Sequence, residues 1–185
     1  REMVPRPFLS SCIEHCLESG KDLSHGGAQY NVGPVITGIG LAVVTNSLAA
    51  VKKLVFEDKV CDMATLARAL QADWQGYEEL QKAAKSAPKY GNDDDYADDL
   101  AREIANHFYN EIHQYKDIFG SPFLTAFMGI SNYIPMGRVL GATPDGRRAG
   151  EPSSEGVSPY VGTDTATPLA AMRSSAKLNQ EIHSG

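Results

Sequence analysis

Apolar residues recur at helical spacing over much of the chain, and in shorter, continuous runs elsewhere. Leu48, Val51, Val55 and Phe56 share one helical face. Thr45 or Asn46 offers a side-chain cap for a helix running to about residue 56. Leu66, Ala69, Leu70 and Trp74 line a helix opened by Asp62. Gly76 interrupts that helix, residues 77–84 continue it, and Ala87-Pro88 ends it. A long helix is predicted over about 95–119, with Leu100, Ile104, Phe108 and Ile112 as its core stripe. Residues 11–19 read as a helix stopped by Gly20. A last helix runs to Leu178 from the segment Thr165-Ala166-Thr167-Pro168, with proline tolerated in its first turn. Residues 28–39 are apolar and β-rich but punctuated by glycine, consistent with a strand and a turn. Residues 123–128 and 131–140 read as strands joined near Gly129-Ile130. Helices alternating with apolar strands predict an α/β fold.

Composition narrows the class. The 185 residues suffice for one domain with its own core, and 42% hydrophobic with 22% charged residues is ordinary for a globular protein. A net charge of −6 argues against nucleic-acid or anionic-membrane partners, which need a basic patch. The longest apolar stretch, residues 32–44, is broken by Gly33, Pro34, Gly38 and Gly40, so no membrane span is expected. Residues 1–7 lack the apolar region of a secretory leader. Three cysteines make no disulfide framework. Cys12 and Cys16 fall on one face of the predicted first helix, but two thiols do not complete a zinc site. Cys12, Cys16 and Cys61 read as helix cysteines of a reducing cytoplasm, against the alternative of a metal or redox pair.

The cluster Asp93, Asp94, Asp95, Asp98 and Asp99 lacks the alternating ligands, turn glycine and distal glutamate of a calcium loop. It reads as an acidic helix start favoured by the helix dipole. His25, between Ser24 and Gly26-Gly27, fits either a site acid–base group or a surface-loop histidine. His15, His107, His113 and His183 carry no recognisable chemistry.

The densest signal is the run 141–152, Gly-Ala-Thr-Pro-Asp-Gly-Arg-Arg-Ala-Gly-Glu-Pro. Three glycines and two prolines in twelve residues exclude a helix or a central strand. Asp145-Gly146 marks a tight turn, and the adjacent arginines offer rigid forks for carboxylates or carbonyls. The run predicts an ordered, charged loop. Asp145, Arg147 and Glu151 are expected to stabilise it, with substrate contact the lesser alternative.

This loop resembles the signature loop of the glycyl radical enzymes, the pyruvate formate-lyase-like family. Companion segments occur in family order: Pro5-Arg6-Pro7-Phe8-Leu9-Ser10-Ser11, Gly26-Gly27-Ala28-Gln29-Tyr30-Asn31, Asn46-Ser47-Leu48-Ala49-Ala50-Val51-Lys52-Lys53, Pro88-Lys89-Tyr90-Gly91-Asn92-Asp93-Asp94, Glu155-Gly156-Val157-Ser158-Pro159 and Ser174-Ser175-Ala176-Lys177-Leu178. The resemblance implies that residues 1–185 are an internal fragment from the C-terminal part of an α/β barrel of two half-barrels. It implies a relay cysteine on one inner loop and a radical glycine on another. The family loops resemble Gly-Cys-Val-Glu-Pro and Arg-Val-Ser-Gly-Tyr, and neither occurs in this sequence. No catalytic residue and no metal site is therefore carried over, and the fragment alone is expected to be inactive.

What the resemblance implies for the whole protein is an oxygen-sensitive, cytoplasmic lyase or dehydratase. It would cleave C–O, C–C or C–N bonds of a small organic substrate by thiyl-radical hydrogen abstraction. No cofactor is bound directly; an S-adenosylmethionine/iron–sulfur activating enzyme installs the glycyl radical, and the whole protein is expected to be a homodimer. The segments sit closer to the dehydratase, decarboxylase and fumarate-adding members than to formate acetyltransferase, the near alternative. A non-catalytic structural domain is the alternative of another class. The resemblance places His25, Ile130 and Ser131 at the substrate cavity, with Asp145, Gly146, Arg147 and Glu151 as the structural signature loop. Dehydratase members often carry an acid at the position of His25, so this residue departs from them. Asn132 is expected to point outward by strand alternation.

Overall fold

A computed structural model describes residues 4–184. Two short helices, α1 (Pro7–Ser10) and α2 (Cys16–Ser19), precede strand β1 (Val35–Thr37). Helices α3 (Leu41–Val51), α4 (Met63–Gln71), α5 (Glu78–Ser86) and α6 (Asp95–His113) then form one long crossover to β2 (Leu124–Ala126). Helix α7 (Tyr133–Val139), the signature loop and α8 (Pro168–Ala176) follow. The strands pair in parallel, with Val35 opposite Leu124, Ile36 opposite Thr125 and Thr37 opposite Ala126. A parallel pair requires such a crossover, and its helices supply the cover. The α/β class stands, with far more helix than strand.

Several boundaries differ from the periodicity reading. The expected helix over 11–19 is broken: His15 takes a left-handed conformation (φ 75°), so only four residues on each side are helical. Cys12 is consequently exposed in the turn while Cys16 is buried, and they share no helix. The apolar run 28–39 yields only three strand residues. Helix α3 starts at Leu41 rather than at Thr45 or Asn46. Its first turn is capped from across the structure, where the Ser154 hydroxyl accepts the Val43 amide (3.3 Å). No local signal announces a cap 111 residues away. Asn46 instead turns its side chain to the Tyr90 amide (2.8 Å). Beyond Val51 the helix widens into a π-helical stretch, Lys52–Glu57, closed by the Asp58 amide on the Lys53 carbonyl.

The core forms two clusters. In the first, Leu41 and Ala42 meet Tyr90, Ala97, Ala101, Ala105, Phe127 and Leu178. The buried stripe of α6 is thus alanine at i, i+4 and i+8, while Leu100, Ile104 and Phe108 are only partly buried. Small side chains let α3 and α6 approach closely, and the larger residues flank the contact. In the second cluster Leu54, Leu66, Ala69 and Ala84 surround Trp74. The expected strand over 131–140 is helix α7. Pro135 sits in its first turn, where the missing amide costs no helical bond. Gly137 lies against the Glu151–Pro152 backbone, so close that a Cβ would stand 2.3 Å from the Glu151 carbonyl oxygen. That contact and the capping described below make a helix of an apolar segment with weak helical propensity.

Candidate functional site

The signature loop turns at Thr143–Arg147. The Gly146 amide donates to the Thr143 carbonyl and the Thr143 amide to the Arg147 carbonyl, both at 3.0 Å. Asp145 accepts the Thr143 hydroxyl and the Arg147 amide, fixing the turn from inside. Gly146 has φ +98°, and a Cβ there would meet Lys85 Cγ at 2.5 Å, so the turn takes glycine for two reasons. Gln81 on α5 donates to the Gly146 carbonyl (2.8 Å) and accepts Arg148 Nη2 (3.3 Å).

Arg147 is 2% exposed and spends its fork on the backbone. Nε donates to the Pro152 carbonyl (3.2 Å) and Nη1 to that of Gly141 (2.7 Å). Nη2 donates to Gly137 (3.0 Å) and Glu151 (2.9 Å). The Gly137 bond puts a cation at the C-terminal end of α7, where the helix dipole favours it. Glu151 accepts the Arg148 amide (2.9 Å) through its carboxylate. Asp145, Arg147 and Glu151 all bond within the loop. The loop is also pinned from outside: Trp74 Nε1 donates to the Arg147 carbonyl (3.1 Å), and Asp73 accepts the Ala149 amide (2.7 Å). Asp73 and Trp74 are consecutive left-handed residues (φ 50° and 66°). These loop contacts hold that strained turn in place.

In parallel α/β folds ligands bind beyond the C-terminal ends of the strands. There, beyond β1, Thr37, Ile39, Met136, Val139, Leu140 and Ser153 line an apolar hollow of about 330 Å³. Ile130 and Ser131 follow the C-terminal end of β2 and lead into α7, next to this hollow in the chain but not lining it. Ser131 is exposed and its carbonyl accepts the Ile134 amide. Glu155 brings its carboxylate to the same end: a Cβ on Gly129 would lie 3.5 Å from its Oε2.

His25 lies elsewhere. It ends a 3₁₀ turn (Leu23–His25), is exposed, and has its Nδ1 3.2 Å from the Ser24 hydroxyl. The neighbouring glycines are required by the chain itself. Gly26 sits against the Phe119 ring, and a Cβ on Gly27 would strike the Lys21 carbonyl oxygen at 2.1 Å. Phe119 belongs to the turn preceding β2, whereas Ser131 follows β2. The fold therefore brings Ile130 and Ser131 together but sets His25 at the other end of the strand pair. Asp22 ties the His25 turn to the N-terminal segment by accepting the Arg6 amide and the Ser10 and Ser24 hydroxyls. The Ser24 hydroxyl foremost, with Ser10 and backbone amides, holds the Asp22 carboxyl well below the usual carboxylate range, against the opposing effect of burial.

Sequence reasoning missed the partner of the acidic cluster. Lys177 Nζ lies 2.8 Å from Asp93, 2.7 Å from Asp95 and 2.8 Å from Asp98. Asp98 is fully buried and also accepts the Ser174 hydroxyl (2.9 Å). Burial opposes the charge on Lys177, but its three carboxylate hydrogen bonds outweigh it and raise the pKa above the ordinary lysine value. The only hint was that Lys177 stands in a segment singled out for other reasons. Among the described residues no group of three or more His, Cys, Asp or Glu side chains is placed to hold a metal ion. Among the same residues no helix is long and apolar enough to cross a membrane.

Residues 1–137 match the sequence family described as pyruvate formate lyase-like. The chain is 42% identical over 177 residues to the trans-4-hydroxy-L-proline dehydratase of Clostridioides difficile, covering 95% of this chain and 22% of that enzyme. Its fold superposes on the glycerol-bound B12-independent glycerol dehydratase of Clostridium butyricum with a TM-score of 0.95. The two are 41% identical, over 98% of this chain and 23% of that one. A glycyl radical enzyme from Archaeoglobus fulgidus superposes with a TM-score of 0.92 at 35% identity, over 97% of this chain and 23% of that one. The chain thus spans less than a quarter of the length of the relatives it matches.

Proposed function

Because this chain belongs to the pyruvate formate lyase-like family, we propose that the whole protein is a glycyl radical lyase of the dehydratase type. Its substrate class is small hydroxylated molecules that lose water. The observation that carries this reading is similarity along nearly the entire chain to two dehydratases, one by sequence and one by fold. The radical glycine and the relay cysteine belong to parts of the protein outside these 185 residues, so no bond-breaking step is assigned to a residue here. This chain supplies barrel wall. Ile130 and Ser131 are the proposed substrate contacts at the C-terminal end of β2, where the Ser131 hydroxyl would hydrogen bond a substrate oxygen. His25 joins them only in a cavity that extends along the strands to their other end. The signature loop holds α7, and with it the apolar hollow, in position. A radical-installing activating enzyme and a second copy of the protein are the proposed partners. Three free thiols support a cytoplasmic setting.

The test is anoxic activation of the full-length protein by an iron–sulfur activating enzyme and S-adenosylmethionine. A glycyl radical in the electron paramagnetic resonance spectrum and dehydration of a diol or hydroxylated amino acid are expected. Ser131→Ala should lower kcat/KM at unchanged radical yield. Absence of any radical under conditions that activate a related dehydratase would remove the proposal.

A further inference from the structure

A second cavity, of about 710 Å³, shares no lining residue with the hollow beyond β1. It is bounded by the end of α5 and the loop to Lys89, by the signature turn at Asp145–Arg147, and by the segment from Tyr160 to Thr165. Its volume lies in the range of small-molecule sites.

Its buried charges do not balance. Lys89 (8% exposed) and Arg147 (2%) are buried cations, while Asp145 is the only buried carboxylate in the lining. Among the described residues neither cation forms an ion pair. Buried charges are ordinarily paired, because an uncompensated one costs several kcal/mol, on the order of the desolvation penalty. Arg147 gives four of its five N–H groups to carbonyl acceptors. Lys89 is less fully engaged. Its Nζ donates to the carbonyls of Ala84 (2.7 Å) and Ala87 (2.8 Å), and an ammonium carries a third N–H. Burial pushes its pKa down to about 8, only partly offset by Asp145, as expected of a cation short of negative charge. Tyr160 adds a second donor. It is half-buried in the same lining, and its hydroxyl has no protein partner among the described residues.

We propose that this cavity binds a small monocarboxylate, held by the spare Lys89 ammonium proton and the Tyr160 hydroxyl. Two separate donors suit the two oxygens of one carboxylate. The exposed acids Asp94 and Glu151 also line the cavity, against one exposed cation, Lys85, and this excess of negative charge at the rim favours a monoanion over a dianion. The site does not depend on radical chemistry, so it is tested on the full-length protein without activation.

The probe is sodium acetate, followed by ligand-observed NMR titration against sodium chloride of equal ionic strength, with inorganic phosphate as competitor. Saturable acetate binding that phosphate does not displace is expected. Lys89→Gln and Tyr160→Phe should each weaken it about fivefold, the weight of one hydrogen bond. Tyr160→Phe keeps the ring and the cavity wall, so it decides the matter if Lys89→Gln fails to fold. Acetate binding no better than chloride, binding unchanged in Tyr160→Phe, or phosphate binding as tightly as acetate would each overturn the proposal.

Discussion

Arg147 is the side chain on which the signature loop depends, and its removal gives the sharpest quantitative expectation. Its four hydrogen bonds reach the carbonyls of Gly137, Gly141, Glu151 and Pro152. The Gly137 carbonyl also accepts the Leu140 amide, so it keeps a partner when the guanidinium is lost. The other three have no other protein donor among the described residues. An unmade hydrogen bond costs about 1–3 kcal/mol, and Gly141, Glu151 and Pro152 are exposed enough for water to replace part of it. Taking the low end for each, Arg147→Ala should cost about 3 kcal/mol, a large share of the roughly 5–15 kcal/mol that holds a domain together. Arg147→Lys keeps the charge, but an ammonium cannot reproduce the planar fork. It should recover about half of the loss. Trp74 reports the change because it is the sole tryptophan, is fully buried, and donates to the Arg147 carbonyl. Urea unfolding of the 185-residue chain followed by its fluorescence should show an earlier midpoint in the order Ala, Lys, wild type. Variants within about 0.5 kcal/mol of wild type would refute the reasoning, since that is the range of surface substitutions that touch nothing.

Gly146→Ala should lower the melting temperature by the equivalent of at least 1–2 kcal/mol, roughly the left-handed backbone penalty alone, with the Lys85 contact adding to it; an unchanged thermal transition would contradict the φ of +98°. Lys177→Met strands the fully buried Asp98 carboxylate and should destabilise by about 3 kcal/mol, with Asp98→Asn in the same background restoring part of it. Additive single and double variants in a denaturation cycle would show that the two do not interact. Asp22, Asp62, Glu78 and Asp93 all have pKa values held below the usual carboxylate range: Asp22 by the Ser24 hydroxyl foremost, Asp62 by Thr65, Glu78 by the Gly76 amide and Asp93 by Lys177. Each binds protons less tightly folded than unfolded, so its contribution is present above about pH 4 and is lost as pH falls through the folded value. Denaturation midpoints measured from pH 6 to pH 3 should fall, and Asp22→Asn should fall less steeply. A flat profile would count against the Asp22 network.

Local patterns were legible where local physics decides. Asp62 accepts the Thr65 amide at the start of α4, Thr167 caps α8 ahead of Pro168, and Gly20 stops α2 in a left-handed conformation. Each such signal needs partners only three or four residues away. Failures fell where partners were distant. The start of α3 was misplaced because Ser154 caps it. Residues 131–140 read as a strand because Arg147 and the Glu151–Pro152 backbone, which make them a helix, act from across a loop. On α6 the periodicity was right but the buried stripe fell on alanines, since the close approach of α3 selects size rather than hydrophobicity. The candidate site divides the same way. Ile130 and Ser131 are neighbours in sequence and stay together, while His25 is separated from them by the strand pair.

By itself the amino-acid order determined the α/β class, the family and the ordered turn at residues 143–147, because glycine, proline and capping side chains act on the backbone beside them. Only the tertiary structure decided where Arg147 spends its fork, what neutralises Asp93, Asp95 and Asp98, and that the buried Lys89 ammonium keeps an unused N–H. Those outcomes depend on hydrogen bonds and charges that meet only once the loop and helices have packed, over separations from two to more than eighty residues.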